Sequence, residues 1–129
     1  MIQVVAIITA KSGMREAILK EFHANMPAVH AEKGCIEYGP AIDAEGIGSF
    51  QAKFGPDTFV VIEKWESPDA LKAHAASPHM AAYAAKTRDM IATALSTCCN
   101  RANADAESAP HPDPLPVKAG EEGVRVAGG

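Results

Sequence analysis

The segment Phe59-Val-Val-Ile-Glu-Lys-Trp65-Glu-Ser-Pro-Asp-Ala-Leu-Lys-Ala-His74, continuing through Ser77-Pro78-His79-Met80 to Tyr83, is the best-punctuated part of the chain. An apolar run rich in β-branched residues ends at the only tryptophan, Trp65. Two Ser-Pro pairs follow, Ser67-Pro68 and Ser77-Pro78, and each predicts a helix start. Ser caps the free backbone N–H groups of a first turn, and Pro is preset for the first helical position. The segment therefore reads as a strand, Thr58 to Trp65, and two short helices. Alternation puts Phe59, Val61, Glu63 and Trp65 on one strand face and Val60 and Ile62 on the other. Ala70, Leu71 and His74 share a side of the first helix; Met80, Ala84 and Thr87 form a stripe on the second, with His79 and Tyr83 beside it. Trp65, His74, His79 and Tyr83, the side chains best able to hold an aromatic ligand or move a proton, thus fall close together.

Upstream, Ile2 to Thr9 is apolar at alternate positions of both faces, which predicts a strand buried on both sides. Ser12-Gly13 breaks that pattern, and Met14, Ile18, Phe22, Met26 and Val29 then mark one face of an amphipathic helix. Pro27 predicts a kink or loosened last turn near Asn25 to Pro27, and Gly34 suits the helix's C-terminal position. Cys35 to Ile42 reads as a second strand, with Ile36 and Tyr38 on one face and Cys35 and Glu37 on the other. Asp43 to Asp57 is a long connection rich in Gly, although Ser49 to Phe54 could extend the strands at its edges. Its large apolar groups, Phe50 and Phe54, either fold back or meet a partner. Between Ile91 and Cys99, Ala and Leu favour a helix while Thr93 and Thr97 permit a strand, so local pattern leaves both open. From residue 100 onward, alternating prolines and a Gly-rich end predict a mobile tail, 100–129, outside a domain of residues 1–99.

The 129 residues, 47% hydrophobic and 22% charged, suit one globular domain. A net charge of −4 excludes a basic face for nucleic acid, and no basic amphipathic run or membrane-length apolar stretch is present. Cys35, Cys98 and Cys99 are odd in number with two adjacent, which fits neither a disulfide scaffold nor a C-x-x-C metal site. The expected location is the reducing cytoplasm, because the N-terminus has no basic leader or cleavage site. The element order predicts an α+β fold, an antiparallel sheet with helices on one face. Covering the other face with a second copy predicts a homodimer.

Glu32-Lys-Gly34-Cys35 with Tyr38, Ser49-Phe50-Gln51, Pro56-Asp57, Ile62-Glu63-Lys-Trp65-Glu66-Ser67, and Ala73-His74 through Pro78-His79-Met80 to Ala82-Tyr83 together resemble the antibiotic-biosynthesis-monooxygenase (ABM) domain family. The pieces are most similar to its small quinol monooxygenases and span about residues 1–98. The resemblance implies a ferredoxin-like dimeric α+β barrel, with a pocket between sheet and helices. It implies oxidation of a quinol (hydroquinone or naphthohydroquinone) by O₂ without metal, flavin or haem, and it favours a strand at about Ile91 to Cys98. The haem-degrading branch typically has an Asn on the first strand, which Ile2 to Thr9 lacks.

A cofactor-free oxygenase needs an aromatic, apolar pocket and a group that takes the quinol's proton. His74 and His79 are the candidate catalytic bases, because imidazole titrates near neutral pH. Of the two, His74 is the better base, since His79 sits in a first helical turn, where the helix dipole disfavours positive charge. Tyr83 or Tyr38 can donate to the other oxygen, and Trp65, Phe50, Phe59, Met26 and Met80 can form the walls. Glu63 needs a donor if buried, and a histidine is one possible partner. Trp65 also suits a plain core role. No metal is expected: His74 and His79 are five apart across a Pro, and His23 and His30 lie on a partly exposed helix. Two other readings stand beside oxidation, a non-catalytic dimeric module that binds an aromatic metabolite and an isomerase of a small phosphorylated dione, whose family shares the His-Ser/Thr-Pro-His segment.

Overall fold

The structure is a computed structural model that describes residues 1–102, so the expected tail lies outside the described residues beyond its first three positions. In chain order the elements are β1 (Ile2–Ala10), α1 (Arg15–His30), β2 (Cys35–Ala41), β3 (Thr58–Trp65), α2 (Pro68–Ala75), α3 (Pro78–Thr87) and β4 (Ile91–Asn100), with a 3-10 turn at Arg88–Met90. All strand pairs are antiparallel, in the order β2-β3-β1-β4. This is the split β-α-β order of a ferredoxin-like α+β fold. Residues 91–100 are a strand because pairing with β1 runs almost their whole length, from Ala10 opposite Ile91 to Ile2 opposite Asn100. That long-range partner decides what the local composition left open.

The two Ser-Pro signals work as expected. Ser67 accepts the Ala70 N–H at the start of α2, and Ser77 accepts the Met80 N–H at the start of α3. Each such cap stabilises its helix by about 1 kcal/mol. Ile18, Phe22 and Val29 of the α1 stripe are buried, with Met14 and Met26 packed at the margins. The helix continues through Pro27 to His30. Gly34 does not end it: the cap is Ala31, and Gly34 turns the chain into β2 with φ 86°. Its carbonyl accepts the Glu66 N–H at 2.8 Å, which ties the start of β2 to the end of β3.

Two strand expectations are corrected. Within one chain β1 is buried on one face only: Val4, Ala6 and Ala10 lie in the core, whereas Val5 on the opposite face is 39% exposed. All three helices cover the same side of the sheet, so among the described residues nothing covers Val5 or, on β4, Leu95, which lies opposite Ile7. In β2, Ile36 and Tyr38 do not share a face. Cys35 pairs with Trp65 but Glu37 with Lys64, so Ile36 is an extra, bulged residue. The bulge turns Tyr38 into the core and leaves Ile36 exposed. Ser49 to Phe54 form no strand. The 43–57 connection is instead braced by the Asp43 carboxylate, which accepts the N–H groups of Phe54 and Gly55 at 3.0 and 2.8 Å.

Candidate active site

The end of β3 and the start of α2 bring an indole and an imidazole together. Trp65 is the last residue of its strand and is fully buried; the capped turn at Ser67 then sets the phase of α2 so that His74 faces back over it. Their ring centroids lie 4.5 Å apart. On the other side His74 meets Tyr38 edge-on at 5.4 Å, and Tyr38 stacks on Phe22 at 5.1 Å. Phe22 also meets Phe59 and Tyr83. The helices and strands thus enclose a box of aromatic rings around one histidine that is only 4% exposed.

A residue that the sequence reading gave no role organises the polar side of this box. Glu32, in the turn after α1, receives His74 Nδ1 at 2.9 Å and His79 Nε2 at 2.5 Å, both on its Oε2. Its backbone is pinned as well, its N–H donating to the Val29 carbonyl and its own carbonyl accepting from Cys35. Glu32 opens the Glu32-Lys-Gly34-Cys35 piece of the resemblance, but spacing could not reveal its role, since it lies 42 and 47 positions from the two histidines. The partners fix the tautomers. His74 faces a carboxylate with Nδ1, so that nitrogen carries the proton. The Ser77 hydroxyl donates to the His74 carbonyl at 2.8 Å, so toward His79 Nε2, 3.2 Å away, it can only accept. His79 Nε2 therefore carries a proton too. Nε2 of His74 has no hydrogen-bond partner among the described residues, and a buried polar atom in that state marks a place where a ligand or water belongs.

Glu63 is buried on the same face, and its donor is Trp65 Nε1 at 2.8 Å; neither histidine bonds to it. Burial pushes its carboxyl above the usual range, while the Trp65 N–H and His74 work against that shift. Burial likewise pushes the Tyr83 phenol up to about 12 and the Tyr38 phenol further still. Both tyrosines stay neutral and able to donate at physiological pH.

The remaining expected site residues divide. Phe59 is buried in the box, and Met26 and Met80 pack against it from the edge. Phe50 does not join them: it sits on the 43–57 connection and is 84% exposed. Two hollows adjoin the box. One of about 110 Å³ between α1 and α3 is lined by Glu21, Ala24, Asn25, His79, Tyr83 and Lys86 among others. A larger, more apolar one of about 370 Å³ lies beside Met80, Tyr83, Ala84, Thr87, Arg88 and Ile91. Tyr83 borders both. Neither hollow is lined by Trp65 or His74, which lie deeper in the box.

Glu32, His74 and His79 also place three possible metal-ligating atoms within 4.8 Å of one another, which the sequence spacing did not foresee. Their arrangement is that of a hydrogen-bonded unit. Ligands bound to zinc at 2.0–2.1 Å stand roughly 3.3 Å apart around a tetrahedron, whereas both nitrogens here approach one carboxylate oxygen at 2.9 Å or less. His30 is occupied elsewhere, its Nε2 lying 2.8 Å from the Tyr38 carbonyl.

With this geometry in place, comparison with known proteins is decisive. The profile of the antibiotic biosynthesis monooxygenase family matches residues 1–86. The chain belongs to that family. It is an oxidoreductase, and it is 42% identical over 85 residues to the protein named probable quinol monooxygenase YgiN of Escherichia coli K12, a match covering 64% of this chain and 81% of the relative. The fold matches the crystal structure of PA3566 from Pseudomonas aeruginosa with a TM-score of 0.66 at 24% identity, over 79% of this chain and 94% of that one. It also matches Rv0793 from Mycobacterium tuberculosis with a TM-score of 0.65 at 23% identity, over 79% and 95% of the two chains.

Proposed function

We propose that this monooxygenase oxidises a hydroquinone or naphthohydroquinone with O₂, using no metal, flavin or haem, and that His74 is its base. The observation that carries the reading is the state of His74: buried against Trp65, its Nδ1 held by Glu32, its Nε2 left without a partner among the described residues. A carboxylate that fixes one imidazole nitrogen and leaves the other as acceptor is how an imidazole is prepared for proton abstraction. The name of the E. coli relative supports the choice of substrate.

The chemistry follows from what O₂ lacks. Its ground state reacts sluggishly with closed-shell molecules, but an ionised hydroquinone can pass it one electron. His74 Nε2 takes one hydroxyl proton and the anion passes one electron to O₂; the semiquinone and superoxide so formed join in a C–O bond, the imidazolium protonates the distal oxygen, and loss of water leaves a hydroxylated quinone. Tyr83, a neutral donor, holds the second quinol oxygen. The substrate ring arrives from the apolar hollow beside Met80 and Tyr83, whose 370 Å³ lies within the roughly 300–1,000 Å³ usual for small-molecule sites, and it reaches the buried His74 when the Met80 and Tyr83 side chains that separate them move aside. The open sheet face with Val5 and Leu95 is covered by a second copy of the chain, and the three free thiols fit a reducing cytoplasm.

The test is oxygen uptake by purified, metal-free protein over a panel of hydroquinones and naphthohydroquinones. Uptake well above each compound's own autoxidation is expected for at least one of them. No enhancement across the panel would contradict the proposal.

A further inference from the structure

We propose that the Tyr38 hydroxyl is the catalytic donor on the dioxygen side of the site, holding the oxygen that gains charge when the quinol anion reduces O₂. The inference rests on the quinol reading above and adds to it the place where O₂ reacts. Tyr38 is only 5% exposed, and its hydroxyl, like His74 Nε2, has no hydrogen-bond partner among the described residues. A buried hydroxyl in that state costs stability unless something else bonds it, so it marks a place for a ligand. The ring itself is firmly placed. The Ile36 bulge turns it into the core, Phe22 stacks on it at 5.1 Å with the planes 6° apart, and His30 Nε2 lies 2.8 Å from its backbone carbonyl. It meets His74 at 5.4 Å between ring centroids. Packing alone does not call for this hydroxyl, since Phe would fill the same space.

Position selects the ligand. Tyr83 borders both hollows, whereas Tyr38 lines neither. The quinol ring therefore comes in past Tyr83, and Tyr38 stands on the deep side of His74, which a small apolar molecule such as O₂ reaches through side-chain walls that stop a ring. The other polar groups there are already engaged: Glu63 accepts from Trp65 Nε1, and Glu32 is bonded to both histidines. Burial first, then the neighbouring Glu63, Tyr83, Glu32 and Cys35, push the Tyr38 phenol far above its ordinary range. It stays a neutral O–H and keeps its donor.

The chemistry shows why a donor belongs there. O₂ accepts hydrogen bonds weakly, whereas superoxide, and the peroxide formed when it joins the semiquinone, accept them strongly. A donor already in place stabilises the product of electron transfer more than the reactants, and so lowers the barrier. One electron passes from the quinol anion to O₂, and the C–O bond then forms between semiquinone and superoxide. The O–H bond of Tyr38 stays intact throughout, because the proton that the distal oxygen receives comes from His74.

Tyr38→Phe tests this, since it removes one oxygen and keeps the stacked ring. Oxygen uptake at saturating quinol and varied O₂ should show kcat/KM for O₂ lowered about 10–100-fold, the worth of one hydrogen bond to a charged group. Anaerobic titration should give a quinol dissociation constant within about twofold of native. Thermal unfolding should be no lower than in native protein, because a hydroxyl without a protein partner contributes nothing that Phe lacks. A folded Tyr38→Phe protein with native kcat/KM for O₂ would overturn the assignment and leave the quinol reading standing. So would a quinol affinity that falls by the same factor, which would put the hydroxyl on the quinol, or a clearly lower melting temperature, which would show the hydroxyl bonded within the protein. Native protein that oxidises no quinol of the panel would refute the quinol reading itself, and the role of Tyr38 with it.

Discussion

Gly34→Ala is the substitution whose cost can be worked most fully from the structure. Gly34 sits two residues after Glu32, at φ 86°, and a Cβ built there would lie 2.6 Å from the Cβ of Ala70 on α2. Two penalties combine. An L-residue in the left-handed region costs about 1–2 kcal/mol. Forcing a methyl into occupied space costs about 1–3 kcal/mol more, and the occupant here is a helix stub that cannot swing away like a side-chain tip. The total, about 2–5 kcal/mol, is a large part of the roughly 5–15 kcal/mol that stabilises a typical domain. At about 4–8 °C per kcal/mol for a domain of this size, thermal unfolding should fall by at least about 8 °C. Ala70→Gly in the same chain should recover the packing part and leave the backbone part. The shift of α2 would also move His74 away from Glu32, so the variant should lose turnover even where it remains folded. A Gly34→Ala protein that melts within about 2 °C of native would refute the close approach of α2 to this turn.

Other outcomes follow from the same geometry. Glu63 has a folded-state pKa raised by burial, so its ionisation opposes folding as pH rises above the ordinary value of 4.5. Glu63→Gln keeps an acceptor for Trp65 Nε1, and its stability relative to native should increase between pH 4.5 and pH 8 in denaturant titrations; a constant difference would show that Glu63 is not strained. Sedimentation of the full chain at micromolar concentration should give a dimer, and Leu95→Lys, which places a charge on the open sheet face, should yield monomer. Chelator treatment should leave quinol oxidation unchanged, and stoichiometric metal whose removal abolishes turnover would overturn the hydrogen-bonded reading of Glu32, His74 and His79.

Features written locally in the chain were legible in it. The Ser-Pro starts of α2 and α3, the α1 stripe through Phe22, and the facing of Glu63 and Trp65 depend on neighbours within a few residues, where spacing decides. What escaped depends on distant partners. The β2 bulge at Ile36 is visible only once β3 lies beside it; β4, open in the local pattern, was expected from the resemblance and forms because β1 pairs with it. Glu32 meets its histidines through a turn that folding brings to α2 and α3. The Glu63–Trp65 bond was within reach, since residues two apart on a strand share a face, and it is Trp65 Nε1 rather than a histidine that donates to Glu63. Phe50 belonged to the resemblance as part of Ser49-Phe50-Gln51, yet the chain holds it away from the aromatic box.

The central claim is that His74, held by Glu32, is the base of a quinol-oxidising site. The direct measurement compares native protein with His74→Ala by steady-state oxygen consumption, alongside anaerobic quinol titration and circular dichroism to confirm folding and binding. Loss of a general base costs about 10²–10⁴ in rate. The account predicts a turnover number at least a hundredfold lower, with quinol affinity changed far less. A folded His74→Ala protein that binds quinol and turns over at the native rate would contradict it.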